Sequence, residues 1–527
     1  MTPPATVVAG ELDSALTEAI AQHANDGRVA LVDDTDGRVL TYGDLAGAVE
    51  RVAAGLRGLA LPDGATVAIC ADKSADTVVG LLATLRAGLC VCVLEPGGTT
   101  ESLTQRVTRF GIDRVLAGPE QLGRLGYELP NQVVPLPTDP DGPGTKIAAA
   151  NSGTAGRAAL MLFTSGSTGA PKAISLTGTQ LLPHALGVVE RTGLTPDDRF
   201  LHLMPLHHTN GVNNQIFAPL LAGSSVVLIR QFDATEVENQ ISRHRPTVIT
   251  GVPTMYLRML DHVDPDRRRP SLRMLRCGSA PLAPSQQEQI EHAFGVPLIQ
   301  SYGLSEATCT TVMNPPDAPR RGSVGTVLPH QQLHIVSPTS GTEVSPGQEG
   351  EICISGPTVM TGYWGRAPED GPVHDGLLHT GDLGTVDADG YLRITGRLKD
   401  VIIRGGENLS PAQIESALAA HPAVSDAAVV GAPHPDLGEV PVAFVVASGA
   451  TTADADELAG HVRRTVGRIH TPHRIELVAS LPLNPVGKVD KKALRRALPT
   501  STEHPGVERA PQGPSRPRLL RPPTLGR

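Results

Sequence analysis

Positive charge is scarce in this chain. Against 54 Asp+Glu it carries 45 Lys+Arg, a formal net charge of −9 over 527 residues, and that balance argues against a nucleic-acid partner or an anionic membrane surface. Cysteine is scarce too, at Cys70, Cys90, Cys92, Cys277, Cys309 and Cys353, with no Cys-x-x-Cys spacing and no accompanying histidines. These read as buried thiols of a reducing compartment, not as zinc ligands or a disulfide framework. The most apolar window, Val78 to Leu94, is short, mixed and interrupted by Arg86 and Gly88, too little to span a bilayer. The opening residues Met1-Thr2-Pro3-Pro4-Ala5 lack the cationic lead and apolar core of a signal peptide. The expectation is a cytoplasmic protein with no nucleic-acid partner and no stable membrane insertion. Aromatics make up only 3 % of residues, so a tyrosine inside a motif is less readily dismissed as core filling.

What is present is alternation. At this length one core does not suffice, and at least two domains are expected. From Val39 the chain reads as a strand to Thr41, a helix from Tyr42 to about Leu59 and a strand Thr66 to Ile69. A helix with Ser74 as N-cap, Asp76 in its first turn and Gly88 as its stop follows, then a continuously apolar strand, Leu89 to Leu94. Beyond a Pro/Gly/Asp-rich loop near Pro137 to Gly144 the texture resumes, with strands at Leu201 to Met204, Ser225 to Ile229, Val248 to Thr250 and Met274 to Arg276. Such alternation implies parallel sheets covered by helices. After about Val324, runs such as Gly350 to Gly356 and Gly390 to Ile394 predict antiparallel hairpins of a small β-barrel-like subdomain. Near Lys399 a compact α+β module begins, with Ser410-Pro411 opening a helix and strands at Ala427 to Val430 and Val442 to Val446. The expected fold is α/β: a large N-terminal domain over 1–397, a small C-terminal domain over 398–498, and a disordered Pro/Arg-rich tail over 499–527.

The stretch Thr164-Ser165-Gly166-Ser167-Thr168-Gly169-Ala170-Pro171-Lys172 combines flexible glycines, hydroxyl donors and a closing cation, the chemistry of a loop around a polyphosphate. It is not a Walker A loop, because Lys172 follows Pro171 and precedes Ala173. Standing alone, it would be read as a flexible surface loop. Further motifs follow it in order: Pro205-Leu206-His207-His208, Gly278-Ser279-Ala280-Pro281-Leu282, Tyr302-Gly303-Leu304-Ser305-Glu306, Thr380-Gly381-Asp382-Leu383, Gly396-Arg397-Leu398-Lys399-Asp400 and Pro485-Val486-Gly487-Lys488. Together, from roughly Leu40 to Leu498, they resemble the adenylate-forming (AMP-binding) superfamily, and within it the acyl-CoA synthetases.

That resemblance implies ATP-dependent activation of a small carboxylic acid to an acyl-adenylate, with loss of pyrophosphate, followed by transfer to a thiol. It implies that Thr164 to Gly169 and Lys172 hold the departing phosphates and that Glu306 binds Mg²⁺, a hard cation that prefers carboxylate and phosphate oxygen. Tyr302 would offer its face to adenine beside Ser279, Ala280 and Pro281, with Gly303 and Ser305 in the same turn, and Asp382 would take both ribose hydroxyls with Arg397 alongside. Lys488 would bridge the acid carboxylate and the α-phosphate, and His208 would gate the acyl pocket, with His207 in place of the usual aromatic. A hinge matching Lys399 would swing the small domain, bringing the loop at Gly405 and Gly406 to pantetheine. Outside these motifs each residue has an ordinary reading: a surface carboxylate for Glu306, a turn residue for Asp382, a structural histidine for His208. Ala173 stands where the family usually has glycine, a small change at the end of the loop.

Amino-acid adenylation domains hold the substrate ammonium with an aspartate in Phe-Asp-x-Ser. Here the corresponding region, His207 to Gly211, has no carboxylate, and Phe232-Asp233 lies later, after a strand. The resemblance therefore points to a non-amino acid and coenzyme A, with a carrier protein's phosphopantetheine as the alternative thiol. A catalytically inactive nucleotide-binding module is disfavoured by the joint presence of Lys172, Glu306, Asp382, Arg397 and Lys488.

Overall fold

The computed structural model describes residues 12–137, 156–165, 171–448, 454–483 and 489–498. Its contacts divide it into two compact units, Met1–Val401 and Ile402–Arg527, and each is taken by itself.

The large unit is built on two sheets that share a helical layer. Strand Thr66–Cys70 is buried on both faces, and its alternation sorts residues into two cores: Val67 and Ile69 face inward with Val91 and Leu160, while Ala68 and Cys70 face outward onto Leu103, Val107 and Leu125. A strand covered twice has to be apolar throughout, which is why this one and Cys90–Val93 read as continuous hydrophobic runs. The six-stranded sheet around them is parallel except for its last pair, Ala158–Ser165 with Pro171–Thr177, which is an antiparallel hairpin. The expected helix spans Ala75–Arg86; Ser74 Oγ accepts from Thr77 N–H and every residue but Asp76 is buried. That burial arises because it lies in the shared layer with Tyr42–Gly58 and Gly178–Thr192, between Val67 and Val91 on one side and Leu31, Phe200 and Val226 on the other.

The second sheet has nine strands. Its parallel centre runs Val29–Asp33, Ser225–Leu228, Arg199–His202, Val248–Gly251, Met274–Cys277, Leu298–Tyr302. The order reverses at Arg199–His202: the next strand in sequence pairs on one side and the one after it on the other. In open α/β sheets ligands bind outside the carboxyl ends of strands at such a switch point. Leu201, Val227 and Ile249 cover the outer face with Ile241, Tyr256 and Phe294. A third sheet, of five antiparallel strands, comprises Gln332–Val336, Gly350–Ser355, Val373–His374, Leu377–Val386 and Leu392–Arg397.

The second unit is α+β. The long hairpin Val424–His434 and Gly438–Ala447 carries helices Pro411–Ala419 and Ala455–Val466 on one face, through Ile414, Leu418, Leu458 and Val462. Helix Lys491–Ala497 covers the other face, Leu494 packing with Val430 and Phe444. Residues 499–527 lie outside the described residues. Among the described residues no helix is long and apolar enough to cross a membrane.

Candidate active site

Three motifs of the large unit stand on the carboxyl ends of parallel strands of the nine-stranded sheet. Ser279 to Pro281 follow Met274–Cys277, Gly303 to Glu306 follow Leu298–Tyr302, and His207–His208 follow Arg199–His202. Ser279 is exposed and holds φ +70°, a left-handed conformation that costs a non-glycine residue roughly 1–3 kcal/mol. Gly303 has no freedom of identity: a Cβ there would sit 1.8 Å from the Cys309 carbonyl oxygen. This closeness turns the chain sharply into the short helical turn Ser305–Ala307 that carries Glu306.

Asp382 reaches the same edge through a break in strand register. Between Glu351 and Cys353 one strand advances two positions, while its partner runs from Leu383 back to His379. Thr380-Gly381-Asp382 thus stand opposite the single residue Ile352 and bulge from this ladder, and a bulge re-aims side chains. Gly381 takes φ +71° there. The bulge is tied down by Thr380 Oγ1 donating to Ile352 O (2.6 Å) and by Gly381 N–H donating to Glu351 Oε1 (3.0 Å). Asp382 is thereby 5 % exposed and accepts from the Tyr302 phenol at Oδ2 (2.8 Å), while Oδ1 lies 2.7 Å from Nε of Arg397, its cross-strand neighbour. Tyr302 itself is 9 % exposed and packs with Val312 and Ile352, and burial, then Asp382, pushes its phenol upward so that it stays a donor. Arg397 remains half exposed beside Asp382.

Lys172 and Glu306 are joined by a residue that no sequence motif marked. Tyr363 donates its phenol to Glu306 Oε1 (2.9 Å), and Lys172 Nζ lies 4.3 Å from the centre of its ring. Burial, then Glu306, holds the Tyr363 phenol protonated. The tyrosine is placed by a bridge to Ile174 and by Trp364 N–H donating to Ala173 O (2.9 Å). Lys172 faces Thr164 across the hairpin, beside a cleft of about 130 Å³ that Arg109, Tyr363 and Arg366 also line. The clustering of cations suits a polyanion.

His207 and His208 are partly buried with ring centres 4.5 Å apart. Burial, then Arg106 and Lys73, lowers His207 to about 4, so it is neutral at pH 7. The wide-turn helix Asn210–Phe217 follows, and it ties this segment to the chain just beyond Glu306 through Asn213 Nδ2 to Thr308 O (2.8 Å) and Asn214 Nδ2 to Thr310 Oγ1 (3.0 Å). Lys73, also unmarked in the sequence, braces the preceding strand end, donating to His202 O (3.0 Å) and Met204 O (3.1 Å).

The structure thus gathers Lys172, Glu306, Tyr302, Asp382 and Arg397, with Ser279 to Pro281 at the same sheet edge. Lys399 lies in the turn Leu398–Asp400, directly after the strand that ends at Arg397. Gly405 and Gly406 form the two-residue turn of a hairpin in the second unit, both at positive φ. Gly166 to Gly169 and Pro485 to Lys488 lie outside the described residues.

A doubly wound body with its motifs at the strand carboxyl ends, followed by a small α+β unit, is the architecture of the adenylate-forming enzymes. This chain belongs to the AMP-binding enzyme family: the family profile matches residues 17–364, and that of the AMP-binding enzyme C-terminal domain matches residues 413–488. It is 35 % identical over 485 residues to a sulfoacetate–CoA ligase of Cupriavidus necator, covering 88 % of this chain and 94 % of the relative. ATP-bound MatB from Rhodopseudomonas palustris superposes with a TM-score of 0.83 at 31 % identity, over 92 % of this chain and 98 % of that one. The o-succinylbenzoate coenzyme A synthetase of Bacillus subtilis, in complex with ATP and magnesium ion, does so with a TM-score of 0.78 at 28 % identity, over 92 % and 99 %.

Proposed function

We propose that this enzyme is an AMP-forming acid–CoA ligase for a non-amino carboxylic acid, with its nucleotide held by the residues gathered around Asp382 and Glu306. The acid's carboxylate attacks the α-phosphorus of ATP and pyrophosphate leaves; the thiol of coenzyme A then attacks the acyl carbon and AMP leaves. The observation that carries the nucleotide assignment is the bulge that presents Asp382, bonded to Tyr302 and Arg397, at the sheet's carboxyl edge. There the carboxylate accepts the ribose hydroxyls, while Lys172 and the loop before it face the leaving phosphates. Glu306 fits a magnesium ion by its chemistry, a hard oxygen donor oriented by Tyr363, with ATP phosphates completing the set. The ion would supply neutralisation of phosphate charge. Lys488 is assigned to the attacking carboxylate. The same reading puts the reaction in the cytoplasm, where thiols such as the six free buried cysteines stay reduced.

The test is a panel of non-amino carboxylic acids with Mg·ATP, monitored for pyrophosphate, with coenzyme A and a phosphopantetheinylated carrier protein offered together and the products weighed. At least one acid should release pyrophosphate and appear on coenzyme A. Lys488→Ala should lower adenylation by about 10²- to 10³-fold while still making thioester from pre-formed acyl-adenylate. Silence across the panel, or product on the carrier alone, would sink the assignment.

A further inference from the structure

Glu351, Cys353 and His379 are the one group among the described residues whose carboxylate, thiol and imidazole donors all lie within 4.8 Å of one another. Neighbouring strands make this trio. Cys353 sits directly across from His379 in the ladder, and Glu351, two residues before Cys353, projects from the same face. His379 Nδ1 is 2.9 Å from Glu351 Oε2 and 3.5 Å from Cys353 Sγ. A tetrahedral zinc ion, at about 2.3 Å from sulfur and about 2.0–2.2 Å from nitrogen or oxygen, spaces its donors roughly 3.3–3.6 Å apart. The sulfur–nitrogen pair already stands at that spacing, the carboxylate has to draw back from His379 by a few tenths of an ångström, and the carboxylate and sulfur donors lie within 4.8 Å of each other.

We propose that Glu351, Cys353 and His379 form a binding site for a zinc-class divalent ion, behind the bulge that presents Asp382. The donor set is mixed and soft enough to favour zinc over magnesium or calcium, which take oxygen. Glu351 is buried and Cys353 fully so, and the other carboxylate oxygen of Glu351 is fixed by the Gly381 amide, an orienting contact of the kind that supports metal ligands. The fourth position falls to water or to His374, whose ring centre is 5.8 Å from that of His379. Binding requires the thiolate and an unprotonated Nδ1: the Cys353 proton goes to solvent, and the imidazole proton shared with Glu351 moves to Nε2. Cys353 is a free buried thiol, as the sequence suggests, and takes on here a ligand role that its local spacing does not signal. Its partners come from strand pairing and not from local spacing.

The experiment uses the untagged full-length chain, stripped with chelator and titrated with Co²⁺, followed by displacement with Zn²⁺. One equivalent of Co²⁺ should bring up a thiolate-to-cobalt charge-transfer band that Zn²⁺ abolishes. Cys353→Ser should lose the band, and His379→Gln should weaken binding and alter the visible d–d envelope. A chain that shows no band, or a band that survives Cys353→Ser, overturns the proposal. Should those variants fail to fold, zinc-edge X-ray absorption of the stoichiometric wild-type complex decides. One sulfur among nitrogen and oxygen neighbours supports the site, and any shell with no sulfur or several sulfurs refutes it.

Discussion

Lys73 is a cation held almost wholly out of water by main-chain carbonyls, and burial lowers it from its ordinary 10.5 to about 7. Between those values the unfolded chain keeps the proton and the folded chain has lost it, so raising the pH through that window favours the folded state. Replacing Lys73 by Met leaves the Met204 carbonyl without its donor, whereas His202 O keeps the Ile229 N–H; at high pH, where the lysine is neutral, this costs about 1–3 kcal/mol, and the pH-dependent contribution is removed. Thermal midpoints of wild type and Lys73→Met from pH 7 to 10 should therefore diverge, the wild type gaining relative to the variant; a difference independent of pH would contradict the assignment. Nothing in the sequence around Lys73 announced this. Its partners are carbonyls of a strand far along the chain, and an amine bonded to carbonyls has no complementary charge to look for. Tyr363 escaped notice for a related reason, since it acts through contacts to Lys172 and Glu306 that only the fold creates. Lys172, Glu306, Asp382 and Arg397 were legible because each lies inside a contiguous motif.

At the scale of elements, the turn after Leu298–Tyr302 depends on an absent side chain. Gly303→Ala would drive a Cβ into the Cys309 carbonyl, and the backbone has to move to accept it. The expected outcome is a loss of about 2–3 kcal/mol in stability by denaturant unfolding, together with weakened Mg·ATP binding as Glu306 shifts; unchanged unfolding would show the turn to be more pliable than drawn. Strand and helix positions were readable from residue pattern. Val39–Thr41, Thr66–Cys70, Ala75–Arg86 with its Ser74 cap, and Cys90–Val93 stand where alternation and capping put them. The bulge at Thr380 to Asp382 was not readable, because register belongs to two strands at once and neither sequence states it alone.

For the molecule as a whole, the residues proposed to hold the nucleotide, Lys172, Tyr302, Glu306, Asp382 and Arg397, all belong to the unit ending at Val401, whereas Lys488 falls within the span of the other. A chain cut after Val401 should bind ATP in calorimetry yet release pyrophosphate about 10²- to 10³-fold more slowly than the full-length enzyme; full activity in the fragment would remove Lys488 from its assigned role. The large unit resists any finer division, since one apolar cluster runs through the helical layer into both sheets. Its threading has a consequence during synthesis. Val29–Asp33 pairs with Ser225–Leu228, Leu31 lying against Val226, while the whole six-stranded sheet is encoded in between. At about 5–20 residues per second, the first strands wait on the order of 10–40 s for their neighbour to leave the ribosome. For that interval they are an uncovered edge, so the nascent chain is at its most aggregation-prone well before the site exists.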